Sequence, residues 1–269
     1  MRSGVYFIGA GPGDPDLLTI KAYKILQEAD VILYADSLVP KQILRDVKPS
    51  AELIATGNQT LEKIVPLMIE KVKEGLMVVR LQSGDLCLYS AIHEQMMELA
   101  EANIPFELIP GISAYQAAAA KISTELTIPE LVQTIILTRV SGNASPVPDK
   151  EELKGLAAHQ ASLCLYLAAR HVRKAQQDLL EHYPVDTPVA VCYRVGWEDE
   201  KILIVPLTEM ARATEENNLI RTTMYIISPA LKKLSDDEVR SQSGVSRSQS
   251  GVSRSKLYHP SHKHLFRPK

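Results

Sequence analysis

Three alternate glycines and an acid, Gly9-Ala10-Gly11-Pro12-Gly13-Asp14, mark the first place where residue types and spacing could do chemistry. They follow the apolar run Val5-Tyr6-Phe7-Ile8 and precede an amphipathic segment, Leu17 to Ala29. That pattern predicts a strand, a tight turn and a helix, with the turn at the carboxyl end of the strand, where open α/β sheets bind ligands. A dinucleotide loop would want a third glycine at the sixth position so that a helix could present its amides to pyrophosphate. Here the sixth position is Asp14, and Pro12 removes an amide donor. An acid beside the loop repels pyrophosphate, so a nucleoside-type ligand without phosphates suits the turn better. Asp36, after the second apolar run, could still imitate a ribose-binding acid, which keeps a NAD-linked oxidoreductase as an alternative. A purely structural glycine turn is a third reading.

Three further stretches fall after predicted strands: Tyr34-Ala35-Asp36-Ser37, Ser83-Gly84-Asp85-Leu86-Cys87-Leu88-Tyr89 and Pro110-Gly111-Ile112-Ser113-Ala114. A fourth, Leu165-Tyr166-Leu167-Ala168, belongs to the second half. Each alone reads as an ordinary turn. Together they put glycines and small polar groups after successive strands, which favours a nucleoside pocket lined by backbone.

The elements that must hold these turns follow from periodicity. Strands are expected at Val31 to Ala35, Met77 to Leu81, Phe106 to Ile109 and Thr134 to Leu137. Helices are expected at Thr60 to Lys73 (closed by Gly75), Ala91 to Ala102 and Ala114 to Ala120. After a Ser/Gly/Asn/Pro break at 140–148, Asp149 and Glu152 make a capping arrangement for the next helix. A second series follows: strands Ser162 to Leu167, Val189 to Tyr193, Ile202 to Val205 and Thr223 to Ile227, with helices Val172 to His182 and Glu209 to Asn217. The fold class expected is α/β, in two consecutive domains, 1–112 and 113–239, followed by a tail at 240–269. The tail opens with a seven-residue repeat, RSQSGVS twice over, whose composition reads as a flexible insert. His259, His262 and His264 beyond it have no acidic or thiol partners nearby, so no metal is expected.

Composition excludes several classes. The 269 residues are 45% hydrophobic but only 5% aromatic, so aliphatic side chains must build the core. Lys and Arg number 30 against 32 Asp and Glu, so no basic field draws nucleic acid. No run approaches the ~20 apolar residues of a membrane span, and the first strand leaves no room for a signal peptide. Cys87, Cys164 and Cys192 match no zinc spacing and read as reduced packing residues of a cytoplasmic protein.

The ordered signatures GAGPGDPDLLT, the Gly-Asp turn ending in Tyr89, and PGIS resemble the tetrapyrrole methylases. YADSLVP, the stretch Glu125 to Arg139 and the ending SKLYHP look like the branch that methylates carbon 11 of precorrin-4, or of its cobalt complex, in cobalamin biosynthesis. The resemblance implies two α/β domains with S-adenosyl-L-methionine in the cleft between them, a tetrapyrrole substrate and a homodimer. Carried over by motif, the cofactor contacts are Pro12, Ser83, Gly84, Asp85, Leu88, Ser113, Ala114, Leu167, Val195 and Thr222. Asp36 is the candidate catalytic carboxylate, stabilising positive charge that develops on the macrocycle. Arg139 and Arg194, at strand ends, are candidates to hold substrate carboxylates. The family turn reads Gly-Asp-Pro and closes Tyr-Gly; this chain has Leu86 and Ser90 there, and Ser90 is harmless only at negative φ. That departure motivates a non-catalytic ligand-binding relative as one alternative; a methylase of another precorrin or of uroporphyrinogen is another.

Overall fold

The computed structural model describes residues 3–142 and 146–231. The serine-rich repeat and the C-terminal histidines lie outside the described residues. The chain divides into two compact α/β units. The first comprises the described residues up to Ala118 together with Tyr193–Lys201. The second comprises Ala119–Cys192 and the described residues from Ile202 on.

The first unit is a five-stranded sheet: β1 (Gly4–Gly9), β2 (Val31–Tyr34), β3 (Glu52–Ala55), β4 (Met77–Gln82) and β5 (Phe106–Ile109), in the order β3-β2-β4-β1-β5. Each of its pairings is parallel, so every strand ends on the same edge. Residue alternation along β1 sends Val5 and Phe7 into one apolar layer and Ile8 into the other. Helix α1 (Ile20–Glu28) covers the Ile8 side with Ala22, Ile25 and Leu26. Helices α2 (Leu61–Lys73) and α3 (His93–Glu101) cover the other, through Ile64, Val65, Met68 and Leu99. Such a sheet, buried on both faces, explains why its central strands read as continuous apolar runs.

Helix α4 (Ala114–Lys121) follows β5. The second sheet contains β6 (Ile135–Arg139), β7 (Ser162–Tyr166), β8 (Pro188–Tyr193), β9 (Lys201–Pro206) and β10 (Thr223–Ile227), in the order β6-β7-β10-β8-β9. It is mixed: β6 runs parallel to β7, and β10 antiparallel to it. Helices α5 (Leu153–Ala157), α6 (Val172–Leu180) and α7 (Met210–Glu216) complete this unit.

Three expectations need correction. The segment after the first turn is not one helix from Leu17: a 3-10 turn, Pro15–Leu17, comes first, and α1 begins at Ile20 with Thr19 as its cap. Strand β3 was not anticipated. Asp149 does not cap a helix but opens a 3-10 turn; Glu152 does occupy the cap position of α5, without a side-chain cap bond, and its carboxylate accepts from the Ser141 hydroxyl at 2.8 Å. Of the cysteines, Cys164 and Cys192 are buried, whereas Cys87 is exposed in the Gly-Asp turn.

Candidate functional site

The carboxyl edge of the first sheet is built from backbone. The Ala10 amide continues the ladder to the Gln82 carbonyl at 2.7 Å. Gly11 and Gly84 then exchange amide and carbonyl in an isolated antiparallel bridge, at 3.2 and 2.7 Å. Gly9 and Gly111 lie against each other: a Cβ on Gly111 would stand 2.3 Å from the Gly84 oxygen and 2.6 Å from the Gly9 oxygen. Glycine is needed at 9 and 111 for close approach of main chains, not for unusual dihedrals. Gly84 is the reverse case, at φ 69° with open space where a Cβ would stand.

Asp85 staples this edge. Its Oδ2 accepts from the Gly111 amide at 3.1 Å, and its Oδ1 from the Cys87 amide at 2.9 Å. Partial burial pushes the carboxyl up, but hydrogen bonds from the Cys87 thiol and the amides of Cys87, Gly111 and Leu86 outweigh it and hold Asp85 below the ordinary carboxylate value. The same carboxylate pushes the Cys87 thiol up. Leu88 closes the turn with its amide on the Asp85 carbonyl at 3.5 Å, and Ser83 precedes the bridge. Leu86 is buried in the apolar layer that Phe7 and Leu99 occupy, so apolar packing holds this position where proline stands in the family. The left-handed residues that follow are Tyr89 (φ 57°) and Ala91 (φ 51°), not Ser90, which bonds the Leu86 carbonyl through its hydroxyl. The condition set for Ser90 is met.

Buried Ser113 closes this edge; its amide donates to Gln116 Oε1 at 2.9 Å, and Ala114 begins α4. Pro12 is buried in the turn after β1. The connection between β8 and β9 supplies Arg194 and buried Val195 to the same unit. Arg194, at φ 45°, bonds Asp199 Oδ2 at 2.6 Å, and its guanidinium carbon stands 4.7 Å over the Trp197 ring. Its charge and its face are thus engaged inside the first unit.

Asp36 stands exposed after β2, where Oδ1 accepts the Gly57 amide at 2.7 Å. Beneath it runs a buried polar chain that composition did not reveal. Thr56 Oγ1 donates to the Tyr34 carbonyl and accepts from Arg80 Nη1 at 2.9 Å. Arg80 Nε reaches Gln95 Oε1 at 3.2 Å, and Gln95 Nε2 donates to the carbonyl of Ala91 at 2.9 Å. Burial lowers Arg80 to about 10, the mark of a desolvated guanidinium, and no carboxylate among the described residues pairs with it. The chain thus supports Ala91 in its left-handed conformation. Gln95→Leu leaves Arg80 Nε and the Ala91 carbonyl without their Gln95 partner, and the expected loss is about 1–3 kcal/mol in urea unfolding.

In the second unit, Leu167 follows β7 at φ 53° and is 66% exposed, while Thr222 precedes β10 at φ 52°. Because β7 and β10 pair antiparallel, the residue that follows β7 and the residue that precedes β10 share one end of that sheet. Left-handed β-branched or bulky residues are strained and cluster at functional sites. Arg139, ending β6, donates to the carbonyls of Val140 and Pro146 at 3.2 and 3.3 Å.

The first unit's edge fits a nucleoside better than a pyrophosphate. Asp14 accepts from the Asp16 amide at 3.0 Å and caps the 3-10 turn. The Ala22 amide at the start of α1 is already taken by Thr19 Oγ1 at 3.2 Å. The glycine turn therefore does not run into a helix whose free amides would cradle phosphate. Sequence reasoning missed Gln42, Arg80, Gln95 and Trp197. The single tryptophan was the one signal available; the glutamines carried none.

The sequence matches the family of tetrapyrrole (corrin/porphyrin) methylases over residues 4–211. It is 42% identical over 240 residues to a cobalt-precorrin-4 C(11)-methyltransferase of Priestia megaterium, covering 88% of this chain and 93% of that protein. It is 39% identical to a precorrin-4 C(11)-methyltransferase of Pseudomonas aeruginosa, covering 98% of each. The crystal structure of a cobalt precorrin-4 methyltransferase superimposes with a TM-score of 0.82 at 42% identity, over 85% of this chain and 96% of that one. A uroporphyrin-III C-methyltransferase of Thermus thermophilus, complexed with S-adenosylhomocysteine, superimposes with a TM-score of 0.71 at 25% identity, over 85% and 98%.

Proposed function

The chain belongs to the tetrapyrrole (corrin/porphyrin) methylases, and on that premise we propose that it methylates carbon 11 of precorrin-4 or cobalt-precorrin-4, with S-adenosyl-L-methionine as donor. The observation that carries the reading is the glycine edge of the first unit. Three strand ends contribute main chain, an acid staples them, and the adjoining helix start is already capped. A neutral nucleoside with an amino-acid arm suits such a surface, and a pyrophosphate does not.

S-adenosyl-L-methionine supplies a methyl group on a positively charged sulfur that becomes neutral as the methyl leaves. The chain's task is chiefly alignment of the carbon nucleophile. In this proposal the glycine turn, the Gly-Asp turn and the Ser113-Ala114 turn hold the cofactor, with Val195 in the same unit; Leu167 and Thr222 remain proposed cofactor contacts. Asp36, its carboxylate oriented by the Gly57 amide, stabilises positive charge developing on the macrocycle. Arg139 pairs with substrate carboxylates. Arg194, already bonded to Asp199 and stacked on Trp197, acts with the cofactor turn instead. We further propose a cytoplasmic homodimer. Among the described residues no helix is long and apolar enough to cross a membrane.

Calorimetric titration with S-adenosylhomocysteine and with NAD tests the reading. Binding of the former alone is expected; tight NAD binding with no response to S-adenosylhomocysteine would falsify it. Mass spectrometry of products from metal-free and cobalt-loaded substrate then assigns the macrocycle. Arg139→Ala is expected to raise the macrocycle KM about tenfold or more, by loss of a charge-assisted contact, and to leave S-adenosylhomocysteine affinity unchanged. Equal loss of both would make Arg139 a support of the 140–148 loop and not a substrate contact.

A further inference from the structure

We propose that Trp197 and Gln42 are positioning residues that lock the middle of the glycine turn in the shape that receives the cofactor. The inference rests on the methyltransferase reading above and assigns a task to two side chains which that reading leaves unused. The ends of the turn are secured by main chain: Gly11 by its bridge to Gly84, and Asp14 by the Leu17 amide on its carbonyl at 3.1 Å. Between them, Pro12 has no amide to give. The carbonyls of Pro12 and Gly13 are held by side chains from distant parts of the unit. Trp197 Nε1 donates to the Pro12 carbonyl at 3.1 Å. Gln42 Nε2 donates to the Gly13 carbonyl at 2.6 Å and to the Gly196 carbonyl at 2.8 Å.

The fit around these bonds is close. A Cβ on Gly13 would lie 2.4 Å from Trp197 Cδ1, so the indole edge rests directly on that α-carbon. Gly196, at φ 81°, comes so near that its Cβ would lie 2.7 Å from the Asp14 amide nitrogen. Arg194 lies over the face of the indole and is pinned by Asp199; the Gly196 amide is pinned by Glu200 at 2.6 Å. The bonds to residues 12 and 13 orient two consecutive peptides of the turn. Without them those peptides are free to rotate, and each unbound rotamer lowers apparent affinity by the fraction of time it is occupied.

Trp197 is the chain's single tryptophan, so its emission reports on the turn alone. In the full-length enzyme, saturable change of that emission with S-adenosylhomocysteine is expected. Trp197→Phe keeps a ring on Gly13 and removes the donor; Gln42→Met keeps length and removes both bonds. Each is expected to raise the S-adenosylhomocysteine Kd and the cofactor KM by about 3- to 10-fold, the scale of one hydrogen bond, with kcat at saturating cofactor and the macrocycle KM near wild type. The double variant should lose less than the product of the two, since one turn is being loosened twice. Should Trp197→Phe fold poorly, benzothienylalanine at the same position keeps the indole shape without the N–H and is expected to give the same rise. A wild-type enzyme that binds S-adenosylhomocysteine while these variants bind it within twofold overturns the inference and leaves the methyltransferase reading standing. A wild-type enzyme that does not bind it overturns both.

Discussion

Gly111→Ala is expected to destabilise the protein by at least about 3 kcal/mol and to abolish S-adenosylhomocysteine binding, because overpacking here is against main chain. The new Cβ would stand 2.3 Å from the Gly84 oxygen, 2.6 Å from the Gly9 oxygen and 2.7 Å from the Gly9 carbonyl carbon. None of these atoms ends a flexible side chain, so relief requires the ends of β1, β4 and β5 to part. That movement would break the Gly11–Gly84 bridge and the Asp85 to Gly111 bond together. Two controls separate crowding from the general effect of replacing glycine. At Gly84 a Cβ meets open space but φ is 69°, so alanine is expected to cost only about 1–2 kcal/mol of left-handed strain. At Gly155, in helix α5 with open space around it, alanine is expected to stabilise by roughly 0.5–1 kcal/mol. Urea unfolding of the three variants reads the order. Equal stability of Gly111→Ala and Gly155→Ala would mean that the three strand ends are not packed backbone to backbone.

The same geometry explains what was legible in the sequence. Central strands buried on both faces write themselves as apolar runs, and β4 and β10 fall within one residue of where periodicity put them. Strand β3 does not: Glu52 and Ala55 are exposed, Leu53 is 45% exposed, and the strand pairs only with β2 at the sheet edge. With no apolar face there is no alternation to see, and its pairing with β2 is a tertiary fact. The glycine and acid turns were legible because glycine at close main-chain contacts leaves a visible residue type. Their purpose was only half legible. Asp85 looked like a ligand contact, yet each of its carboxylate oxygens is bonded within the edge itself. The partners of Pro12 and Gly13 were not legible at all. Trp197 stands 185 residues from Pro12 along the chain, and a glutamine such as Gln42 is indistinguishable from any surface glutamine until the fold delivers it to two carbonyls. The buried chain Thr56–Arg80–Gln95 was missed for a related reason: an arginine within an apolar strand offers no periodicity of its own.

Asp85 offers the sharpest separation between holding the site and touching its ligand. Asp85→Asn retains one carbonyl oxygen and turns an amide group toward either the Cys87 or the Gly111 N–H, so one charge-assisted bond is replaced by a donor facing a donor. The expected loss is about 1.5–3 kcal/mol of stability, with a comparable weakening of S-adenosylhomocysteine binding. Asp85→Ala removes both accepted bonds and is expected to lose more of each. The pH dependence follows from the carboxyl being held below its ordinary value of 3.8. The unfolded chain takes up the proton at higher pH than the folded one, so the stabilisation is complete above that ordinary value and disappears as pH falls through the lower folded value. The stability difference between wild type and Asp85→Asn should therefore be flat from pH 7 down to about 5, and should close as the solution is taken below about 4. Chemical unfolding at a series of pH values measures this directly. If Asp85→Asn matched wild type in stability at pH 7 while binding of S-adenosylhomocysteine was lost, the carboxylate would be a ligand contact and not the staple of the glycine edge. If binding and stability fell together and recovered together with pH, the affinity of the site would be set by how firmly Asp85 holds the end of β5 against the end of β4.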